Sequence, residues 1–365
     1  MPVHTSTRSH DRAERRRPRA LRTAAAAGVA TALLVGTVPG TAHAAVADRP
    51  VRLPIGTVAD VAATGNRVFV SGGRTSNDLV VTNAAGGAAR TVSGLPGPTD
   101  LLLSTDRATL YVALPNTGEI AAIDTATLAQ KARYRTGAPC PSSLAITGTS
   151  LWFGYGCGQW GGDIGRVDLA AIPATVTLGL AGGDFYDFPL LATASGNQNV
   201  LFAGQPSLSP GSVSVFSTTV TDGRLPLVGR TDHTAVGSNL RDVAATADGA
   251  MFYTASGAPY EVVGFATTDL TQARRRLPTV AYPNAVELSP DGQYLAAGSD
   301  ASYDPDVFLF RQDGTPVATV ELNGPLLDRA LVWAPNGKRL YAVTGDRYAS
   351  TPQSAVLHVI EPTWG

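Results

Sequence analysis

Apolar residues along the chain recur in short alternating runs, and one such run returns seven times. In each copy a polar turn leads into an apolar segment, and in six copies an aromatic residue takes the fourth position. The copies are NRVFVSGG (66–73), ATLYVALP (108–115), TSLWFGYG (149–156), NVLFAGQP (199–206), AMFYTASG (250–257), QYLAAGSD (293–300) and KRLYAVTG (338–345). Their starts lie 41 to 51 residues apart, which is typical of a repeated supersecondary unit.

Each copy is flanked by further strand patterns, such as TDLLLST before the second copy and EIAAID after it. Six units add a fourth pattern, and long helical periodicity is absent. Four short antiparallel strands at this period predict an all-β, seven-bladed β-propeller, whereas two stacked sandwich domains would leave the even spacing unexplained. The predicted blades are 57–97, 98–138, 139–188, 189–238, 239–283, 284–327 and 328–365 plus 51–56.

The seventh unit lacks a fourth strand pattern of its own. VRLPIGT (51–57) precedes the first unit and has no other partner, so we expect this N-terminal strand to pair into the last blade and close the ring. A closed ring removes exposed sheet edges, which favour aggregation.

The first 44 residues have the pattern of a signal peptide. A basic stretch (15–22) runs into an Ala-rich apolar segment, and Ala42 and Ala44 form the A-x-A pattern read by signal peptidase. We expect cleavage after Ala44, so that 45–365 forms a single secreted propeller. The general secretory route is expected, with the twin-arginine route as the alternative. A single-pass anchor is disfavoured because the apolar segment is shorter than a membrane helix requires.

Charge and cysteine content narrow the class of partner. The whole chain has a formal net charge of −1, and removing the first 44 residues takes away seven arginines and two acids, leaving a net charge near −6. This acidic balance argues against nucleic acid as a partner. The mature chain has no apolar segment that predicts a membrane span, and we expect a monomer. Its two cysteines, Cys140 and Cys157, predict a disulfide in an oxidising compartment.

Two groups of carboxylates are candidate metal ligands. Asp60, Asp100 and Asp242 begin the first strand of three units, so they are expected near one mouth of the central channel. The loop after the second strand of the sixth unit carries the other group, Asp300, Asp304 and Asp306. Oxygen ligands suit Ca²⁺, so Ca²⁺ is the candidate ion for either group. No other cofactor is expected. The simpler interpretations are carboxylates that accept backbone hydrogen bonds and a solvated loop.

Catalytic chemistry has little support in the sequence. The mature chain retains only His233 and His358, which lie in different units, so a multi-histidine metal centre is excluded and a histidine-based triad is disfavoured. We assign no catalytic residue.

Aromatic residues are frequent in the inter-blade loops and in the loops between second and third strands. Both loop classes should open on one face of the ring. Because these residues lie outside the strand pattern, they predict a recognition surface, with packing beneath the loops as the alternative. They are Tyr155, Trp160, Phe185, Tyr186, Phe188, Tyr260, Tyr282, Tyr303 and Tyr348.

One part of the chain resembles a known family. LYVALPNTGEIAAIDTATLAQKARYRTGAP (110–139) resembles the repeat of the YVTN family of seven-bladed propellers, and SPDGQYLAAGS and APNGKRLYAVTG are similar to the turn and strand of the broader WD40-like group. The whole mature chain also resembles exported propeller modules of actinobacterial type. The resemblance implies a propeller fold, and members of such families have mixed functions.

Together these features favour a secreted, non-catalytic binding or scaffold propeller that recognises an extracellular protein or a cell-wall glycan. The alternative is a propeller enzyme, a lyase or lactonase-type hydrolase, with a divalent cation held by the channel-mouth carboxylates.

Overall fold

The structure is a computed structural model that describes residues 46–231, 233–345 and 354–362. The described residues form seven sheets of four antiparallel strands, with one four-residue helix, α1 (His233–Val236). The predicted seven-bladed, all-β propeller is therefore confirmed. The expected signal peptide, residues 1–44, lies outside the described residues.

Six blades use consecutive strands, ordered from the channel outward. Blades one to three comprise β2 (Asp60–Ala63), β3 (Arg67–Ser71), β4 (Asp78–Asn83), β5 (Arg90–Ser93); β6 (Leu101–Leu103), β7 (Thr109–Leu114), β8 (Glu119–Asp124), β9 (Gln130–Arg135); and β10 (Pro141–Thr147), β11 (Ser150–Tyr155), β12 (Asp163–Asp168), β13 (Thr175–Thr177). Blades four to six comprise β14 (Leu190–Ala194), β15 (Asn197–Gln205), β16 (Ser212–Ser217), β17 (Leu227–Arg230); β18 (Ser238–Ala245), β19 (Met251–Ala258), β20 (Glu261–Ala266), β21 (Arg275–Pro278); and β22 (Pro283–Leu288), β23 (Tyr294–Ser299), β24 (Val307–Arg311), β25 (Pro316–Val320).

The seventh blade joins the two ends of the described chain. It consists of β26 (Leu326–Trp333), β27 (Leu340–Thr344), β28 (Val356–Pro362) and the N-terminal strand β1 (Val46–Arg52), which pairs antiparallel with β28. Closure by the N-terminal strand is confirmed, but the strand begins five residues before the predicted 51–57. Leu53 and Ile55, which gave that stretch its strand pattern, are instead buried between blades seven and one.

The hydrophobic core is divided into seven layers, one between each pair of neighbouring blades. Successive side chains of a strand point to opposite faces, so each second strand contributes to two layers. In β3, Val68 packs toward blade seven and Phe69 toward blade two. The same division recurs around the ring: the predicted aromatic position is buried in all six units that carry it, and Ala296 fills it in blade six.

No helix within the described part of the chain has the length and apolar character needed to cross a membrane.

Candidate functional site

The candidate site lies on one face of the ring, which we call the loop face. It is formed by the loops between blades and the loops that join second to third strands. Backbone hydrogen bonds link these two loop classes: the Gly73 N–H donates to Pro98 O at 2.8 Å, and the Asp300 N–H donates to Tyr282 O at 3.0 Å. The two classes therefore share a face, as the meander requires.

The two cysteines meet on the loop face. Cys140 precedes β10 and Cys157 follows β11, with their Cα atoms 5.6 Å apart and their sulfur atoms joined at 1.96 Å. This Cα separation lies within the range that a disulfide requires. The predicted pair is therefore capable of a disulfide, which connects an inter-blade loop to the segment 156–162.

The segment 156–162 is also held by hydrogen bonds to the loop between blades three and four. The Gly158 N–H donates to Asp187 Oδ1 at 2.9 Å, and Gly162 and Phe185 exchange backbone hydrogen bonds of 2.9 and 3.2 Å. A Cβ at Gly162 would collide with the carbonyl oxygen of Asp187, so this close approach requires glycine. The segment is thus fixed at both ends before any ligand binds.

Trp160 stands at the centre of this fastened segment. It is 68% exposed, and its ring lies edge-on to Tyr186, with centroids 5.7 Å apart and an interplanar angle of 83°. Beneath it, a cavity of ≈ 410 Å³ opens between blades three and four. Asp184 and Arg230 line this cavity, with Arg230 Nη2 3.8 Å from Asp184 Oδ2. We call this cavity and its rim the blade 3–4 groove.

The other predicted aromatic residues differ in exposure. Tyr155 and Phe185 are buried, at 8% and 2% exposure, and pack beneath the loops rather than present a surface. Tyr260, Tyr282 and Tyr303 are exposed beside blades five and six, with Tyr260 and Tyr282 edge-on at 5.6 Å. Phe188 packs partly buried against the core, and Tyr348 lies outside the described residues.

The three first-strand aspartates tie neighbouring blades together. Asp60 accepts the N–H of Val61 at 2.9 Å with one oxygen and the N–H of Leu101, in the next blade, at 2.7 Å with the other. Asp242 does the same with Val243 and, across the blade boundary, with Val286 at 2.8 Å. These carboxylates accept local backbone hydrogen bonds, as the simpler interpretation predicted, and also reach the adjacent blade.

A guanidinium lies among the same aspartates. Arg329, from the inner strand of blade seven, places Nη1 3.4 Å from Asp100 Oδ1 and donates through Nη2 to Thr99 O at 3.1 Å. Asp100 also accepts the Leu144 N–H of blade three at 2.5 Å. The sequence thus predicted that these carboxylates lie near one another. It did not predict that a cationic side chain of the same protein, Arg329, lies among them.

Burial controls the ionisation of the channel acids. It raises the pKa of Asp242 to about 6, and burial together with the nearby Asp242 charge raises the pKa of Glu287 to about 8. Burial and then Asp100 raise the pKa of Asp60 well above its usual value, while Arg329 acts in the opposite direction. A raised pKa reduces the negative charge that these acids offer to a divalent cation near neutral pH.

The second carboxylate group is spread over different environments. Asp306 is fully buried, accepts the Leu322 N–H at 2.8 Å, and has a pKa raised to about 7 by burial and by Glu321. Asp304 is exposed. Within the described ranges, no three His, Cys, Asp or Glu side chains are grouped as a metal ion would require. Calcium binding by either aspartate set stays a prediction.

Sequence reasoning also missed a buried histidine network in blade seven. His358 Nε2 lies 2.9 Å from Thr344 Oγ1, and His358 Nδ1 lies 2.7 Å from Asp48 Oδ2. The order hydroxyl, imidazole, carboxylate is that of a catalytic triad, but His358 is 3% and Thr344 4% exposed, so no substrate reaches the hydroxyl. The network joins three strands of the closing blade. His233 begins α1, and its side chain lies outside the described part of the structure.

Comparison with known proteins identifies the fold of this chain but not its function. No protein-family model matches the chain, and no curated protein matches it. Among solved structures, the chain is similar to Kuenenia stuttgartiensis hydrazine synthase, with 18% sequence identity, a TM-score of 0.61, and coverage of 84% of this chain and 96% of that chain. A likeness at this identity shows a shared propeller fold and carries no activity to this chain.

Proposed function

We propose that this protein is a secreted, non-catalytic binding propeller that recognises a protein or a glycan at the extracellular or cell-envelope surface. The observation that carries the proposal is Trp160, a large apolar side chain held 68% exposed on a segment fastened at both ends. An exposed indole adds little to folding stability, whereas a rigid exposed aromatic is well suited to binding.

Export is part of the proposal and has separate support. The first 44 residues have the order of a signal peptide, and a disulfide between Cys140 and Cys157 would persist only in an oxidising compartment. The resemblance to the YVTN and WD40-like repeat families, and to exported actinobacterial modules, supports the same location.

The alternative, a lyase or lactonase-type hydrolase, is less well supported. It needs channel carboxylates that can turn toward a divalent cation. Asp60 and Asp242 instead use both oxygens for backbone N–H groups, and the Arg329 guanidinium lies beside Asp100. A bound cation would have to displace these contacts.

The test is affinity capture from the envelope and culture fluid of the producing organism. Wild type should retain a partner, and Trp160→Ala should retain at least about tenfold less, because the central aromatic of a binding surface carries much of its affinity. Ile172→Ala is the matched control, since Ile172 is 98% exposed in the loop between β12 and β13, a third-to-fourth-strand loop on the opposite face. Equal capture by wild type and Trp160→Ala, or capture by neither, would contradict the proposal.

A further inference from the structure

The blade 3–4 groove combines a flat apolar surface with a polar rim. Trp160 supplies the exposed aromatic surface, and Asp184, Arg230 and Ser212 supply polar groups around the ≈ 410 Å³ cavity, which the buried Phe185 also lines. Its volume falls within the range of sites for small ligands. A ligand of this site therefore needs an apolar face and polar edges in one compact unit.

The rim of the blade 3–4 groove carries one negative and one positive side chain. Asp184 is 63% exposed and Arg230 35% exposed by side chain, and they form a loose ion pair at 3.8 Å. Arg230 Nε donates to Ser214 Oγ at 2.8 Å, which orients the guanidinium and leaves donors for a ligand. An anion would meet the Asp184 carboxylate and a cation would meet Arg230, so the rim favours a neutral ligand whose groups both donate and accept hydrogen bonds.

Behind the rim, the polar groups of Gln205 are already hydrogen-bonded within the protein. Gln205 is 4% exposed; its Oε1 accepts the Tyr186 N–H at 3.1 Å, and its Nε2 donates to Pro206 O at 3.2 Å. Gln205 therefore fixes Tyr186 rather than binds a ligand. With Trp160 held edge-on to Tyr186, the aromatic surface needs little reorganisation on binding.

We propose that the blade 3–4 groove binds a neutral saccharide end group, one of whose ring faces stacks on Trp160 while its hydroxyls bridge Asp184 and Arg230. A pyranose ring has an apolar C–H face and hydroxyls that donate and accept, which matches both parts of the groove. This inference rests on the proposed binding function and specifies the ligand class of the same site.

The test uses an array of neutral and acidic mono- and oligosaccharides immobilised through their reducing ends, followed by calorimetric titration with the soluble methyl glycosides of any that bind. Wild type should bind a subset of neutral sugars saturably. Trp160→Ala and Asp184→Asn should each weaken that binding about tenfold or more, whereas Ile172→Ala should not change it. Circular dichroism and the melting temperature of each variant report whether it remains folded.

The possible results separate the two proposals. No neutral sugar binding, a preference for acidic sugars, or sugar binding unchanged in Trp160→Ala would overturn the saccharide proposal. If the array is blank while capture from the envelope still depends on Trp160 and yields a protein, the saccharide class is wrong and the binding function stands. If neither experiment depends on Trp160, both proposals fail.

Discussion

At the scale of single residues, aspartate side chains at the channel mouth accept hydrogen bonds from backbone N–H groups of neighbouring blades. Asp60, Asp100 and Asp242 occupy equivalent positions in three blades, and each accepts an N–H from the inner strand of the next blade. Arg329 supplies the compensating cation, with its side chain 17% exposed. Carboxylates held this close together repel one another unless a cation or a proton intervenes.

Removal of Arg329 should therefore be costly. We expect Arg329→Leu to lower the free energy of unfolding by about 3 kcal/mol or more, because breaking a buried ion pair leaves an uncompensated charge. Arg276→Ala is the matched control, because Arg276 is more than half exposed and pairs with Glu261 at the surface, where an ion pair contributes about 1 kcal/mol or less. Urea denaturation of both variants measures the difference. Similar losses in the two variants would show that Arg329 is not structurally important.

Whether a residue of these sites could be predicted from the sequence depends on whether it lies within the repeated strand pattern. The aspartates were predictable because they repeat in register with the strand pattern. Arg329 was not, because it has a positive φ of 56° within a register irregularity of β26, in a blade that lacks the repeated aspartate. Trp160 was predicted as a loop aromatic, but Asp184 and Arg230 were not, since only the folded ring brings them to the same groove.

At the scale of elements, the decisive one is the closing strand β1. It is largely exposed, so its sequence has little apolar alternation to identify it, and the strand pattern of the more apolar stretch 51–57 predicts a strand that begins too late. What fixes β1 is its pairing with β28 and the contact of Asp48 with His358. The repeat count predicted that such a strand must exist, while its exact position depended on long-range contacts.

Loss of the Asp48 contact should loosen ring closure. We expect Asp48→Ala to destabilise the protein by about 1–3 kcal/mol, because the buried imidazole of His358 loses a hydrogen-bond partner. It should also speed amide hydrogen exchange in β1 and β28.

Arg49→Ala provides the control on the same strand. The Arg49 side chain is 63% exposed, and its contact with Glu361 is 3.9 Å, so this variant should change stability by less than about 1 kcal/mol. Equal exchange rates in β28 for wild type and Asp48→Ala would argue against a role of the histidine network in closure.

At the scale of the whole molecule, seven similar blades make a stiff ring on which the loops vary. The apolar layers between blades repeat around the ring, so the strands determine the fold and leave the loops free to carry binding residues. Aromatic pairs that include exposed rings lie at two places on the loop face, beside blades three and four and beside blades five and six. The blade 3–4 groove combines its aromatic pair with the Asp184–Arg230 pair and a cavity of ≈ 410 Å³.

The most direct test of the account is hydrogen exchange mass spectrometry of the wild-type protein with and without the material that it captures from envelope and culture fluid. Binding at the loop face should slow exchange in segments 156–162 and 205–212 and leave the loop that contains Ile172, on the opposite face, unchanged. Protection confined to the inner strands at the channel mouth, protection on the opposite face, or no protection anywhere would contradict the claim that the loop face is the binding site.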